Sequence, residues 1–370
     1  MDIIHFLPVK SIILLIHSSC LVKKGSFTTS KQLKELLLAA EVGNIDRMKN
    51  LIDATKQFGY TNQWMTSLDR KGRSPLIIAS MHGYTNVVEL IIKEIIESTD
   101  DEKLRKCYIN CKDYKGRSSL FYSVGEGHFN IIKLLVEIGA DIETITNEKH
   151  ASPGSTLLMG CAEKNHVESF EYLIMKGADI FAKRDDGSDA TYIAARYGHT
   201  EIINRILDMS DASILINRPT FRQRTALVTS AFHGHIDVCK ALISYVEYIN
   251  HQDMDGITAL MYASAEGNVL LVQWLIFKGA DISIKSKGKE NALEFALKNK
   301  QKDVAKVLRS CSECDQQKEN PMQQRNIQRR MSMHPSISAT KKNSNQRRMS
   351  LHQNATNVDH KKNQRRMSFN

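Results

Sequence analysis

The stretch Asp255-Gly256-Ile257-Thr258-Ala259-Leu260 to Gly267-Asn268 is followed by apolar residues to Ile276 and then by Gly279-Ala280-Asp281-Ile282. It recurs along this chain in degraded copies. A unit of about 33 residues holding a turn and two short helices cannot bury its apolar faces alone, so such units stack into a solenoid. Turn segments align at Gly72-Arg73-Ser74-Pro75-Leu76, Gly116-Arg117-Ser118-Ser119-Leu120, Gly154-Ser155-Thr156-Leu157, Gly187-Ser188-Asp189-Ala190-Thr191, Arg224-Thr225-Ala226-Leu227 and Gly288-Lys289-Glu290-Asn291-Ala292-Leu293. With a helical pair from Gln32 to Asp53 these make eight units.

In each unit a small polar residue is placed to cap the first helix. Between the helices stand Gly43-Asn44, Gly83-Tyr84, Gly127-His128, Asn165-His166, Gly198-His199, Gly234-His235, Gly267-Asn268 and Asn299-Lys300. Gly and Asn tolerate the left-handed backbone that lets a short helix stop and reverse. The second helices carry apolar residues at helical spacing, as in Ile131, Leu134, Leu135 and Ile138, or Val238, Ala241, Leu242 and Tyr245. That spacing predicts one face packed on neighbours.

Turn glycine, capped first helix, Gly-His, apolar second helix and the Gly-Ala-Asp-Ile closures at 139–142, 177–180 and 279–282 together resemble ankyrin repeats. The resemblance implies an all-α solenoid of paired antiparallel helices with short β-hairpin-like turns over residues 31–310. It further implies that partner proteins are bound through turn tips and the concave face of the first helices. By position, Arg70, Lys71, Tyr114, Lys115, Arg196, Tyr197, Phe232, His233 and Glu266 are the expected contacts. The chain departs from the family's Thr-Pro-Leu-His motif. Pro survives only at Pro75, and Ile77, Phe121, Leu158, Tyr192, Val228, Met261 and Glu294 stand where that His would be. A locally softer stack is expected. The second unit is also lengthened by residues 93–108, where Glu94, Glu97, Asp100, Asp101 and Glu102 make an acidic stretch read as a tolerated insertion.

Charge is unevenly distributed. Residues 315–370 hold twelve Lys and Arg against Asp315, Glu319 and Asp359, which places +9 of the chain's +10 there and leaves the rest almost neutral. This tail, 311–370, lacks the apolar residues needed to offset chain entropy and is expected to be disordered. It contains a second repeat, Gln-Arg-Arg-Met-Ser plus an apolar residue, with Ser332, Ser350 and Ser368 at 18-residue intervals. Arg329-Arg330, Arg347-Arg348 and Arg365-Arg366 precede those serines, in a pattern similar to the substrates of cAMP-dependent and related basophilic serine kinases. Phosphorylation adds about 1.5 to 2 negative charges at each site, so the tail would become far less basic. The Lys-Lys and Arg-Arg pairs also suit nuclear import or a polyanion contact, but no interleaved aromatics support stacking on nucleic acid bases.

Seven cysteines form no even disulfide framework, and Cys311 with Cys314 lacks the further ligands a zinc site needs. No metal or cofactor is expected. No phosphate loop, His-Glu-X-X-His, nucleophile elbow or kinase signature occurs, so the reading is non-enzymatic. A scaffold or adaptor is the favoured class, and a regulatory or targeting subunit of a kinase or phosphatase is the alternative. Residues 1–30 are read as a disordered or weakly packed N-terminal extension rather than a signal peptide: Lys10 and the apolar run Ile12–Ile16 resemble a poor signal, but Asp2, Pro8 and His17 interrupt the pattern. No apolar run is long enough to span a bilayer. The free thiols point to the cytoplasm, with the nucleus as the second compartment.

Overall fold

The capping serines and threonines do open the first helices. In a computed structural model that describes residues 28–57, 64–65, 67–145 and 154–318, Ser74, Ser118, Thr156, Asp189, Thr225 and Thr258 each accept a hydrogen bond from the backbone N–H three residues on. Asn291 does the same and Glu294 returns the bond, a full capping box.

The first helices are α1 (Thr28–Val42), α3 (Pro75–Met81), α6 (Ser119–Glu126), α8 (Leu157–Lys164), α10 (Ala190–Tyr197), α13 (Ala226–Phe232), α15 (Ala259–Ala265) and α17 (Ala292–Lys298). Each is followed by an antiparallel second helix: α2 (Ile45–Gln57), α4 (Thr85–Ser98), α7 (Phe129–Glu137), α9 (Val167–Met175), α11 (Thr200–Leu207), α14 (Ile236–Leu242), α16 (Val269–Phe277) and α18 (Lys302–Lys318). Two helices stand outside this alternation, α5 (Glu102–Ile109) in the lengthened second unit and α12 (Ala212–Asn217) after α11. Among the described residues there is no sheet, only one isolated antiparallel bridge between Lys112 and Ser118. The fold is an all-α repeat solenoid. Packing separates residues 1–305 from 306–370, and the described part of the second unit is the continuation of α18 to Lys318.

Within residues 1–305, Leu76, Leu120, Leu157, Leu227 and Leu260 are buried, as are Ile131, Ile132, Leu135, Ile202, Ile203, Leu271, Val272 and Leu275 of the second helices. Each such side chain contributes about 1.5–3 kcal/mol, and neighbours share the benefit because every face is covered by the next unit. First helices of neighbouring units pack on one another more closely than second helices do. One expected core residue is absent from it. α14 ends at Leu242, so Tyr245 lies beyond the helix and is exposed.

From Gly72 onward left-handed residues mark both turns of each unit, and not every one is glycine. Asn165 and Gln223 adopt φ values of 60° and 57°. In the last unit the left-handed positions are Lys289 and Lys300 (φ 63° and 61°), one residue later than Gly288 and Asn299. Glycine elsewhere has a second cause besides φ. A Cβ on Gly83, Gly127 or Gly198 would fall within 2.6 Å of the ring of His128, His166 or His235 in the following unit.

Three histidines at these caps link the units. The Nε2 atoms of His128, His199 and His235 lie 3.2, 3.0 and 3.0 Å from the carbonyls of Met81, Glu163 and Arg196 at the end of the preceding first helix, and Gln301 Nε2 donates to Ala265 at 3.2 Å. They occupy the second-helix cap and reach back to carbonyls that a helix end leaves unpaired.

The acidic stretch is largely spoken for. Glu94 is 7% exposed and paired with Lys56, Glu97 pairs with Lys93, and Glu102 pairs with Lys106. Asp101 caps α5 through the N–H groups of Lys103 and Leu104. Three of the stretch's five carboxylates are thus ion-paired and a fourth caps the helix.

Candidate functional site

Three turn tips are built around a carboxylate, whereas Arg184, Thr220 and Ser286 stand at the equivalent position of three others. Asp69 Oδ1 accepts from the N–H groups of Lys71 and Arg73 at 2.8 Å each, and Asp113 Oδ1 accepts from Lys115 at 2.8 Å and Arg117 at 2.9 Å. Asp253 Oδ1 likewise accepts from Asp255 at 2.9 Å and Ile257 at 3.0 Å. The second oxygen is then free for a side chain: Tyr122 donates its hydroxyl to Asp113 at 2.7 Å, and Tyr262 donates to Asp253 at 2.7 Å. A tyrosine one residue after the missing histidine thus braces the turn.

Adjacent tips are joined by backbone bonds from Tyr114 N to Lys71 O (3.1 Å), Phe221 N to Asp186 O (3.2 Å), Met254 N to Arg222 O (3.0 Å) and Lys287 N to Asp255 O (3.0 Å). The residues two before each left-handed position therefore form one row: Arg70, Tyr114, Asp185, Phe221, Met254 and Lys287. Arg70, Lys71, Tyr114 and Lys115 are all exposed on this edge, Tyr114 at 60%. Phe221 is 67% exposed on the same row and was not among the expected contacts. Its signal in the sequence is its place two residues before Gln223, which stands where other turns have glycine.

The other expected contacts, Arg196, Tyr197, Phe232, His233 and Glu266, lie at the C-terminal ends of α10, α13 and α15, all exposed. These ends are separate from the tips, so the nine residues form two groups. The Arg196 guanidinium lies 5.7 Å from the Tyr197 ring centre, and Tyr197 stacks on His199 at 6.0 Å with planes 13° apart. Phe232 meets His233 and Tyr262 edge-on at 4.8 and 5.0 Å. Arg224 crosses two units beneath them: Nη2 donates to the Tyr262 hydroxyl at 2.8 Å, Nε donates to Asp253 Oδ2 at 3.2 Å, and its carbon lies 5.1 Å from the Phe232 ring centre. Phe232 is thereby held by Arg224 on one side and by Tyr262 and His233 at its edges. A ring fixed in this way gives up little freedom on binding.

The electrostatics of this face are set locally. Burial raises the Asp253 carboxyl, but hydrogen bonds from Tyr262, Ile257, Asp255 and Arg224 outweigh it and hold the group below its ordinary value. Burial, and then the neighbouring Asp253 carboxylate, push the Tyr262 phenol up. Partial burial followed by the charge of Arg196, His235 and Arg224 pushes His233 down, so it stays neutral at pH 7. Among the described residues no group of three or more His, Cys, Asp or Glu side chains is placed to hold a metal, and no helix is long and apolar enough to cross a membrane. Burial pushes the Cys111 and Cys239 thiols up to about 11, away from reactive thiolate. Ser332, Ser350, Ser368 and the arginines Arg329, Arg330, Arg347, Arg348, Arg365 and Arg366 lie outside the described residues.

A family model for ankyrin repeats matches three times, over residues 36–146, 158–253 and 246–320. The chain is 28% identical over 242 residues to the ankyrin repeat and KH domain-containing protein mask-1 of Caenorhabditis elegans, which covers 64% of this chain but 8% of that protein. It is 41% identical over 89 residues to human Ankyrin repeat family A protein 2, covering 24% of this chain and 26% of the relative. An ankyrin repeat protein of fowlpox virus matches at 28% over 127 residues, 34% of this chain and 86% of the viral protein. The chain thus spans under a tenth of the worm relative's length and about a quarter of the human one's.

Proposed function

This chain belongs to the ankyrin-repeat family, whose repeats generally mediate protein–protein interaction, and from that premise we propose that it is a non-enzymatic scaffold or adaptor. Its partner is gripped by the ends of the first helices in units five to seven. The observation that carries this reading is the braced, exposed row of Arg196, Tyr197, Phe232 and His233, which combines rigid aromatics with arginine as interface anchors do. The tip row from Arg70 to Met254 supplies the second edge of the contact.

The test is capture of partners from the native cell by the full chain and by its Tyr197→Ala, Phe232→Ala double variant. Both side chains are exposed, so folding is expected to survive. Retained partner should fall by at least about tenfold, since paired anchors are each worth roughly 1–2 kcal/mol or more. Equal capture by the two proteins removes the first-helix face from the interface.

The tail reading is part of the same proposal. Ser332, Ser350 and Ser368, each behind an Arg-Arg-Met sequence, serve as substrates of a basophilic serine kinase, and their modification lowers the tail's charge from +9 to roughly +3 to +4.5. What supports it is the threefold repetition of one short sentence at a fixed 18-residue interval. Mass spectrometry of the protein from its native cell, with the kinase class activated, is expected to find phosphate on these serines. Three unmodified serines contradict it.

A further inference from the structure

A unit meets the one before it through fixed positions. The first-helix residue five before the left-handed turn reaches back: Tyr262 accepts a hydrogen bond from Arg224 and lies edge-on to Phe232, and a Cβ on Gly160 would lie 3.4 Å from Val124 Cγ1. In later units this row is buried at Ile78, Ile193, Thr229 and Tyr262 and half-buried at Tyr122, Gly160 and Phe295. In the first unit it is Leu38, which is 49% exposed. Two second-helix rows agree. Eight residues after the turn, every later unit from Ile91 to Leu308 buries an aliphatic side chain, but Leu51 of the first unit is only half-buried. Four residues after it, every later unit from Val87 to Val304 is buried, whereas Arg47 stands exposed, ion-paired to Glu35. The first unit therefore carries, at Leu38 and Leu51, contact positions for a predecessor that no described residue fills.

We propose that residues 1–27 pack on this open end, the apolar run Ile12–Ile16 covering Leu38 and Leu51, so that the segment takes the place of a preceding unit. Position, length and composition all favour this occupant. Every later first helix is entered from the unit before it, and α1 is entered at Thr28 directly from residues 1–27. Those 27 residues approach the length of one unit, about 33 residues, which is enough chain to cover one unit end. Fifteen of the 27 are apolar, against 42% for the whole chain, so the segment has apolar surface to bury and the open end has apolar surface to offer. A solenoid needs its end covered for the same reason that its middle units need neighbours. The apolar run that resembles a poor signal is thereby a structural part of the array. Neither Tyr197 nor Phe232 belongs to this end, so the two assignments succeed or fail separately.

The test places the photoreactive residue p-benzoylphenylalanine at position 38 of the full chain. Irradiation in dilute solution is expected to join that position to residues 1–27 of the same molecule, read by peptide mass spectrometry with the product at monomer mass. Ile12→Asp with Ile16→Asp should raise amide exchange in α1 and α2 by at least about tenfold and leave α15 and α16 unchanged, because loss of one neighbour acts locally. Leu38→Asp is the reciprocal change. It should speed trypsin cleavage after Lys10, Lys23 and Lys24 by at least about tenfold, and the milder Leu38→Ser gives the same readout where the circular dichroism spectrum shows that Asp unfolds α1. The proposal is overturned if position 38 is joined to a second copy or to another protein, or if it forms no product with residues 1–27. It is equally overturned if the segment substitutions leave exchange in α1 unchanged, if the Leu38 variants are cleaved at the parent's rate, or if the protein from its native cell lacks residues 1–27, as removal of a leader would leave it.

Discussion

Asp253→Ala is expected to destabilise the sixth and seventh units by roughly 3–5 kcal/mol, as loss of the acceptor at the centre of a buried charged network does. One carboxylate, 5% exposed, accepts from two backbone N–H groups on Oδ1 and from Tyr262 and Arg224 on Oδ2. Removing it leaves the turn unbraced and the half-buried Arg224 beside Phe232 without its counter-charge. The loss should be local, because stability in a repeat array is a sum of unit and neighbour contributions. Hydrogen exchange is expected to rise between residues 220 and 265 and to change little in α6 to α9. Acid adds a second signature with a definite sign. The Asp253 carboxyl is held below the ordinary aspartate value of about 3.9, so its contribution is fully present above that pH and is lost as the pH falls through the lower folded-state value. The gap between parent and variant in urea denaturation should therefore be constant from neutrality to about pH 5 and shrink below about pH 4. A gap that stays constant into acid would show that the carboxylate's ionisation is not what holds the turn.

Gly256→Ala is expected to cost about 2–4 kcal/mol, and Gly288→Ala less than about 0.5 kcal/mol, although both glycines occupy what the sequence presents as the same turn position. Gly256 has φ 74°, and a Cβ there would sit 2.8 Å from the backbone nitrogen of Lys287. That nitrogen donates to Asp255 O at 3.0 Å and joins two tips, so the clash meets main chain that cannot swing aside. Gly288 has no such constraint, and a Cβ on it would make only ordinary contacts with Ser286 Oγ at 3.5 Å and Glu290 Oε2 at 3.7 Å. The measurement is a paired denaturation of the two variants. Equal losses would mean that the left-handed register of the last turn is misplaced.

That pair also shows what a sequence can and cannot disclose about such a fold. Turn glycines, caps and Gly-Ala-Asp closures act over three or four residues, so they are readable as strings. The tip row was missed at Phe221 because a left-handed conformation is a property of the backbone: Gln223 and Lys289 adopt it without being glycine. Anchoring those turns on Arg224 and Gly288 shifts the register by one residue and hides the equivalence of Tyr114, Phe221 and Met254. Tyr262 was hidden for another reason. Its partner Asp253 is nine residues away and its second partner Arg224 lies 38 away in another unit, and no local pattern ties the three together. Tyr197 and Phe232 were legible as positions, but the bracing of Phe232 by Arg224 exists only once two units have packed.

The histidine bridges between units carry a direction. His128, His199 and His235 each satisfy a carbonyl of the unit before them, and Gln301 does the same for Ala265. A ribosome makes the carbonyl first and its ring later. The two sit 36 to 47 residues apart in the chain, which at typical synthesis rates is roughly 2–9 s. During that interval each newly emerged first helix has an unfinished end. Synthesis therefore completes the array one unit behind itself, and a pause in translation leaves the most recent unit, rather than the whole stack, waiting for its latch.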